Sequence, residues 1–212
     1  MEMNVAPLKK NDTKKAASAV ANAFFDYPSL KEYFPDPESR KWKLPWYMEH
    51  TLRSAQKYGE VMTTDDLAGV LFLLPPGHTK LTDWDYVKSG FLAAPLVVGL
   101  RQYAVVSKSE AFLADTQERL LSDRPHYYLW GIAVDPARQR CGAGTTLLRW
   151  MFDKADRDVM PIYLETHQLA NVAYYEQRGF QLIHTGEMPC DNLPFWCMLR
   201  EPQQPKQANY LN

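Results

Sequence analysis

The sequence RQRCGAG, residues 138–144, contains two glycines that are separated by one residue and preceded by two arginines. A strand-like run precedes this stretch, and a helix-like apolar pattern follows it. The first turn of a helix exposes unpaired backbone N–H groups and carries a partial positive charge, so it can bind an anion. Gly142 and Gly144 leave the backbone open to close approach, and Arg138 and Arg140 add positive charge. The stretch suits a pyrophosphate, and a structural turn before a helix is the alternative.

Other anion-binding and metal-binding motifs do not fit the sequence. A Rossmann fingerprint would need a third glycine where Leu147 stands, and a P-loop would need Gly-Lys-Ser or Gly-Lys-Thr. The three cysteines, Cys141, Cys190 and Cys197, are too few for a disulfide framework and lack the spacing of zinc ligands. We therefore expect a reduced, cytoplasmic protein with no metal site.

The composition limits the classes of partner. The chain has 212 residues, 46% of them hydrophobic, and a formal net charge of −1. A chain of this kind folds around a substantial core. No large basic field is present to hold nucleic acid or an anionic membrane, so we expect neither partner. The longest apolar run, residues 90–100, is too short for the roughly 20 residues of a spanning helix and contains Pro95. It predicts a buried helical hairpin.

The first part of the chain reads as helices followed by a strand pair. Residues up to Tyr58 are predicted to be helical, with prolines in residues 27–37 separating a first helix from a second. Residues 60–64 and 67–76 are apolar runs around a polar turn, which predicts an antiparallel strand pair.

The middle of the chain, residues 81–121, is predicted to be helical again. Three residues should interrupt it, namely Gly90, Pro95 and Gly99. Ser109 is the expected cap of its clearest helix.

The last part of the chain alternates between strands and helices. A continuous apolar run at residues 126–134 predicts a buried central strand. The later elements are a helix after the glycines, a strand at 161–166, a helix at 170–179 and strands at 180–187 and 194–200. This order predicts a mixed α/β fold in one domain, residues 1–202, followed by a frayed tail, residues 203–212.

Two motifs in the last part resemble those of a known family. Gln139, Gly142 and Gly144 after GIAVDP resemble the acyl-coenzyme A signature of the GCN5-related N-acetyltransferases (GNAT). Residues 164–180 resemble the second segment of that family, which ends in Tyr-x-x-x-Gly-Phe. Residues 127–202 are also similar to the puromycin N-acetyltransferase type. The resemblance implies a splayed mixed central sheet flanked by helices and an N-acetyltransferase that uses acetyl-coenzyme A as donor.

The resemblance also implies a set of coenzyme-binding residues. The central strand would pair its backbone with the pantetheine arm, and an N–H near its end would polarise the thioester carbonyl. The glycine loop would hold the pyrophosphate mainly through backbone N–H groups, with a reactive thiol at Cys141 as the alternative. Asn171 would bind the pantetheine or cap its helix. The set is Ile132, Ala133, Val134, Gln139, Arg140, Cys141, Gly142, Ala143, Gly144, Thr145 and Asn171.

Two residues carry the chemistry that the resemblance implies. Tyr175 would protonate the thiolate that leaves when the tetrahedral intermediate collapses, whereas Tyr174 would pack on the sheet. An alkyl ammonium must lose a proton before it can attack, and Glu165, at the end of a strand, would accept that proton directly or through water. The alternative for Glu165 is a structural pairing role, and His167 is a weaker candidate for the base. No nucleophile–base pair is visible, which favours direct attack in a ternary complex.

The acceptor is not readable from the sequence. Phe25, Tyr27 and Tyr33 lie where the family often places its acceptor-binding loop, and they are candidate walls of a pocket for an apolar amine; ordinary core packing is the alternative. We expect a small-molecule primary amine. Acetylation of protein N-termini or lysines, and a non-catalytic acyl-coenzyme A sensor, remain open. Oligomeric state is also open, with a homodimer as one arrangement.

Overall fold

Seven strands form one mixed sheet within the residues that the computed structural model describes, 3–122, 124–190 and 192–203. The strands are β1 Val5–Pro7, β2 Glu60–Thr64, β3 Gly69–Leu74, β4 Tyr127–Val134, β5 Ile162–Thr166, β6 Phe180–Glu187 and β7 Pro194–Arg200. Their order across the sheet is β1-β2-β3-β4-β5-β7-β6. The pair β4–β5 is parallel, and the other neighbouring pairs are antiparallel.

Helices cover both faces of this sheet. They are α1 Thr13–Ala23, α2 Pro28–Tyr33, α3 Pro37–Tyr58, α4 Asp83–Lys88, α5 Ala94–Val97, α6 Leu100–Leu121, α7 Ala143–Arg157 and α8 Leu169–Glu176. On one face α1 and α3 pack on β2–β4, and α6 packs on β5 and β7. On the other face α7 and α8 pack on the same sheet. This arrangement confirms the predicted mixed α/β class with flanking helices. The predicted frayed tail lies outside the described residues, apart from Gln203.

The N-terminal part is not wholly helical, contrary to the prediction. Residues 5–7 form β1, which pairs with β2 at the edge of the sheet. Three residues are too few to show an alternating pattern, so the sequence carries no strand signal there. The prolines of residues 27–37 do separate helices, because Pro28 and Pro37 each stand at the start of one. Pro is favoured at that position, where no backbone N–H is needed.

The middle segment departs from the prediction in two ways. Helix α6 runs unbroken through Ser109, which is buried within the helix and caps nothing. The predicted hairpin of residues 90–100 is only partly buried, since Ala94 and Val98 are buried whereas Leu92 is 75% and Leu96 88% exposed. The predicted interruptions at Gly90 and Gly99 are present, because α4 ends before Gly90 and α6 begins directly after Gly99. Pro95 does not interrupt a helix and lies in the first turn of α5.

A bulge in β4 interrupts its regular pairing with β3. Gly131 pairs with Phe72 and Leu129 pairs with Leu73, so Trp130 is an extra residue in β4. Such bulges bend a strand and increase its twist. A Cβ at Gly131 would lie 2.2 Å from the ring of Phe72, so a side chain there would displace that ring.

Candidate active site

The two central parallel strands separate shortly after they meet. Within the described residues, β4 pairs with β5 only through Tyr127 and Tyr128. The far half of β4, including Ile132 and Val134, pairs with β3 on its other side. The backbone groups of this half that point toward β5 are therefore available to a ligand in the gap. The gap lies where the sequence predicts that Ile132, Ala133 and Val134 meet the coenzyme.

The glycine loop joins this strand to α7. Gly142 has φ 88° and Arg140 φ 65°, and α7 begins at the next residue, Ala143. The left-handed conformation at Gly142 is the one that favours glycine. The loop therefore turns sharply and leaves the first N–H groups of a 15-residue helix unpaired. Such a helix start carries partial positive charge, which matches the predicted pyrophosphate site.

The side chains of this loop contribute differently from its backbone. Arg138 forms an ion pair of 2.9 Å with Asp66 in the β2–β3 turn, and this contact anchors the glycine loop to that turn. The thiol of Cys141 lies 2.8 Å from the carbonyl oxygen of Arg138 and does not line either cavity described below. Gln139 reaches the carbonyl of Val134 at 3.5 Å. Arg140 and Thr145 are exposed, whereas Ala143 is buried.

A cavity of about 160 Å³, called here the splay cavity, occupies the gap between β4 and β5. Its lining includes Tyr27, Tyr33, Ile132, Glu165, Asn171 and Tyr175. The structure therefore brings together both predicted catalytic residues, part of the predicted coenzyme strand and two of the three predicted acceptor residues. Phe25 does not line the cavity; its ring packs against the guanidinium of Arg40, 4.7 Å away, so its predicted role as a pocket wall is not supported.

Glu165 is held at the floor of the splay cavity. It lies near the end of β5 opposite Cys197, and its Oε1 accepts a hydrogen bond of 2.8 Å from the hydroxyl of Tyr128. Its Oε2 is buried and has no hydrogen-bond partner among the described residues. Burial, with a smaller contribution from the negative charge of Glu110, raises the pKa of Glu165 to about 8. A carboxyl with such a pKa can both take and release a proton near neutral pH.

Tyr175 closes the splay cavity from α8. Its ring is buried and packs edge-on against Phe180, with ring centroids 5.3 Å apart. Burial raises its pKa further above the ordinary value, so the hydroxyl keeps its proton. Tyr174, which was predicted to pack on the sheet, is instead 38% exposed and lies under Arg178. The buried member of the pair is thus the predicted acid.

A hydrogen-bond network fixes the turn between β5 and α8. The Nδ2 of Asn171 donates to the Thr166 hydroxyl at 2.9 Å, which excludes the predicted capping role because α8 begins after Gln168. The Tyr27 hydroxyl lies 3.0 Å from the Thr166 hydroxyl and accepts from the His167 N–H at 2.9 Å. Tyr27 therefore positions this turn as well as lining the cavity.

His167 is placed as a structural residue. It is buried, and its Nδ1 lies 3.2 Å from the carbonyl oxygen of Pro194. A carbonyl oxygen only accepts, so this contact makes Nδ1 the donor. The geometry at Glu165 is the better one for a base.

The cavity residues that the sequence did not predict include Glu110, Tyr128 and Trp130. Glu110 lies four residues after Val106 and three before Leu113, both of which are buried on α6. That spacing puts a carboxyl on the apolar face of a helix, which is an available signal for a functional residue. Tyr128 and Trp130 sit in a continuous apolar run, which carries no such signal.

The described residues also bear on whether the chain holds a metal site or a membrane-spanning helix. The described part of the chain contains no group of three or more metal-ligating side chains placed to hold an ion. Its helices also include none that is long and apolar enough to cross a membrane.

Comparisons with known proteins agree with this geometry. The family model "Acetyltransferase (GNAT) family" matches residues 22–180. An uncharacterized N-acetyltransferase of Schizosaccharomyces pombe is 27% identical over 209 residues, which cover 95% of this chain and 84% of that protein.

Solved structures share the fold. A crystal structure described as histone acetyltransferase HPA2 and related acetyltransferase, from Corynebacterium glutamicum, superposes with a TM-score of 0.67 at 22% identity over 97% of this chain and 99% of the other. Arylalkylamine N-acetyltransferase 2 from Aedes aegypti superposes with a TM-score of 0.62 at 11% identity over 96% and 100% of the two chains. At these identities the likeness concerns the fold alone. The family match, which covers most of the chain, shows that this protein is an acyltransferase and belongs to the GNAT family.

Proposed function

We propose that this protein transfers an acetyl group from acetyl-coenzyme A to the primary amine of a small molecule by direct attack in a ternary complex. One observation carries the proposal. Glu165, with a buried oxygen that lacks a hydrogen-bond partner among the described residues, and Tyr175, with a retained proton, line the same cavity at the β4–β5 gap. A base and an acid on one cavity are what amide formation from a thioester and an ammonium requires.

The proton balance assigns these two groups their roles. An ammonium nitrogen must lose two protons to become an amide nitrogen, and the leaving thiolate must gain one. Glu165 takes a proton from the nitrogen and passes it to solvent, since its pKa of about 8 allows both steps near neutral pH. Tyr175 gives its proton to the sulfur and regains one from the nitrogen. The N–H groups of β4 that face the gap would polarise the thioester carbonyl.

The glycine loop would bind the pyrophosphate of the donor, at a distance from the reacting thioester. The unpaired N–H groups at Gly142, Ala143, Gly144 and Thr145 suit the pyrophosphate, and the gap between the strands suits an extended arm. Neither cavity lining contains a cysteine among the described residues, which favours direct attack over an acyl-enzyme. A cytoplasmic location and a puromycin N-acetyltransferase type remain predictions from the sequence, as does the homodimer.

Calorimetric titration with acetyl-coenzyme A tests the donor assignment. We expect binding in the micromolar range with one site per chain, and absence of binding at millimolar ligand would contradict the proposal. A library of small amines, with thiol release as the readout, then tests the acceptor. Turnover with peptides that carry free N-termini or lysines, but with none of the amines, would replace the small-molecule acceptor by a protein. Binding without thiol release from any acceptor would indicate a sensor.

A further inference from the structure

A second and larger cavity adjoins the splay cavity. This side cavity, of about 390 Å³, lies between the sheet and α4–α6. Among the described residues, six side chains line both cavities: Tyr47, Glu110, Leu113, Tyr128, Trp130 and Glu165. The two carboxyls therefore stand at the boundary between the space where the acetyl group would be transferred and a space large enough for a small molecule.

Glu110 reaches this boundary from α6, a helix that the catalytic motifs do not include. Its carboxyl accepts a hydrogen bond from the Tyr33 hydroxyl, much as Glu165 accepts one from Tyr128. Both carboxyls have a raised pKa because they are buried, about 7 for Glu110 and about 8 for Glu165. Burial favours the neutral form of both carboxyls, and a cation held between them would favour the charged form instead.

The titratable groups of the described chain that face Glu110 across the cavity are four tyrosines and a second carboxyl. The groups that face Glu110 are Tyr33 from α2, Tyr47 from α3, Tyr86 from α4, Tyr128 from β4 and Glu165 from β5.

Among the described lining residues, Lys80 is the one lysine or arginine, and it is already bound to Asp115 and Glu118 at the surface. The ring of His167, at the far side of the splay cavity, is directed to Pro194. The described lining thus leaves no lysine or arginine side chain for the two carboxyls, and a cationic ligand would supply the positive charge.

Aromatic side chains form the walls of the side cavity. Phe91 packs edge-on against Tyr47 and Tyr86, with ring centroids 5.6 and 5.4 Å apart. Tyr86 in turn lies 6.4 Å from Trp130. Aromatic walls next to carboxylates suit a molecule with an ammonium at one end and an apolar ring behind it.

We propose that Glu110 and Glu165 together bind the ammonium of the acceptor, and that the acceptor is a cationic primary amine whose apolar, ring-sized body occupies the side cavity. This inference rests on the proposed function and names its substrate class. A primary ammonium has three N–H donors, enough to reach both carboxyls, including the unpartnered Oε2 of Glu165. An alcohol of the same shape supplies no charge, and an amino acid brings a carboxylate that the pair repels.

Binding to the coenzyme A complex of the protein tests this inference without turnover. The probes are 2-phenylethylamine, its neutral isostere 2-phenylethanol and L-phenylalanine. We expect 2-phenylethylamine to bind at least tenfold more tightly than either of the other two. Glu110→Gln should lose at least tenfold in affinity for the amine and change its affinity for coenzyme A less than twofold. Glu187→Gln, at an exposed carboxyl on β6, is the matched control and should change neither.

Proton release gives a readout that a structural role of Glu110 would not alter. An ammonium favours the charged form of both carboxyls, so amine binding at pH 7 should release protons. Calorimetry in phosphate and in Tris measures that release, because the two buffers differ in heat of ionisation. We expect a smaller release from Glu110→Gln than from the wild type.

A variant in the side cavity tests the body of the acceptor. Ala114 lines the side cavity from α6, and Ala114→Met should fill part of it. We expect kcat/KM for 2-phenylethylamine relative to ethylamine to fall at least tenfold. Wild-type affinity in Glu110→Gln, stronger binding of the alcohol, or an unchanged ratio in Ala114→Met would overturn the inference. If the wild type did not bind acetyl-coenzyme A at all, the proposed function would be refuted instead.

Discussion

Replacing Glu165 with glutamine tests whether burial sets the charge of this carboxyl. The folded protein binds the Glu165 proton more tightly than the unfolded chain does, because burial raises the pKa from the ordinary 4.5 to about 8. Below pH 4.5 the carboxyl is neutral in both the folded and the unfolded state. Its ionisation then makes no difference to the free energy of unfolding. As the pH rises from 4.5 toward 8, the unfolded chain ionises while the folded one resists, so the stability of the wild type falls. Glutamine is neutral throughout and avoids this loss.

The size of the effect follows from that span of pKa. One pKa unit corresponds to about 1.4 kcal/mol, so the span from 4.5 to about 8 sets an upper limit of about 5 kcal/mol. The amide oxygen keeps the hydrogen bond from Tyr128, but the new NH₂ lacks an acceptor, which costs about 1–3 kcal/mol. We therefore expect Glu165→Gln to be more stable than the wild type by about 2–4 kcal/mol at pH 8.5. At pH 4.5 it should be the less stable protein.

Thermal unfolding followed by circular dichroism at pH 4.5, 7 and 8.5 measures this difference. For a chain of this size, about 2–4 kcal/mol corresponds to roughly 5–15 °C in Tm. The more stable variant should also be at least 100-fold slower in the proposed acetyl transfer, since it lacks the proposed base. A Tm difference that is the same at all three pH values would refute the raised pKa. Turnover equal to that of the wild type would refute the role as base, and Glu187→Gln should match the wild type in both assays.

Tyr175→Phe keeps the buried ring and should slow acetyl transfer at least tenfold, with coenzyme affinity unchanged in calorimetry. The exposed neighbour gives the control, Tyr174→Phe, and equal rates in the two variants would remove Tyr175 from its role. Thr145→Glu places a negative charge in the first turn of α7, so we expect at least tenfold weaker coenzyme binding with an equal or higher Tm. Thr145→Gln should bind nearly as the wild type does, and weakening equal to that of the glutamate variant would argue against an anion at this helix start. These exposed substitutions are cleaner than a change at Gly142, where φ of 88° would strain a side chain.

Much of the fold could be predicted because the sequence marks the boundaries of strands and helices clearly in the last part of the chain. The apolar run before Val134, the glycine loop and the periodic pattern of α7 each point to one structure. The predictions failed where local pattern and tertiary context diverge. Ser109 resembles a helix cap in sequence, yet packing keeps α6 continuous through it. Residues 90–100 are apolar enough to be buried, but their short helices leave Leu96 in solvent.

The sequence offers more signals for the proposed donor side of the site than for the proposed acceptor side. Backbone-binding loops depend on glycines and spacing, which are visible in a sequence. The acceptor side depends on side chains from distant elements, such as Tyr33, Glu110 and Glu165, that meet only after folding. The spacing of Glu110 puts it on the apolar face of α6, but only the folded structure shows that this face lines a cavity beside Glu165.

Strands β3 and β4 are antiparallel neighbours, yet residues 75–126 lie between them. Two such strands can be joined by a turn of two residues, so the sheet itself does not require this long connection. The segment supplies α4–α6 and with them most of the side cavity, whereas the glycine loop, β5 and α8 all follow β4. On the proposed assignment, one contiguous segment of the chain therefore supplies most of the space for the body of the acceptor. An exchange within residues 75–126 that is meant to change amine preference must therefore keep Leu113 and Leu121 of α6, which pack on β5 and β7.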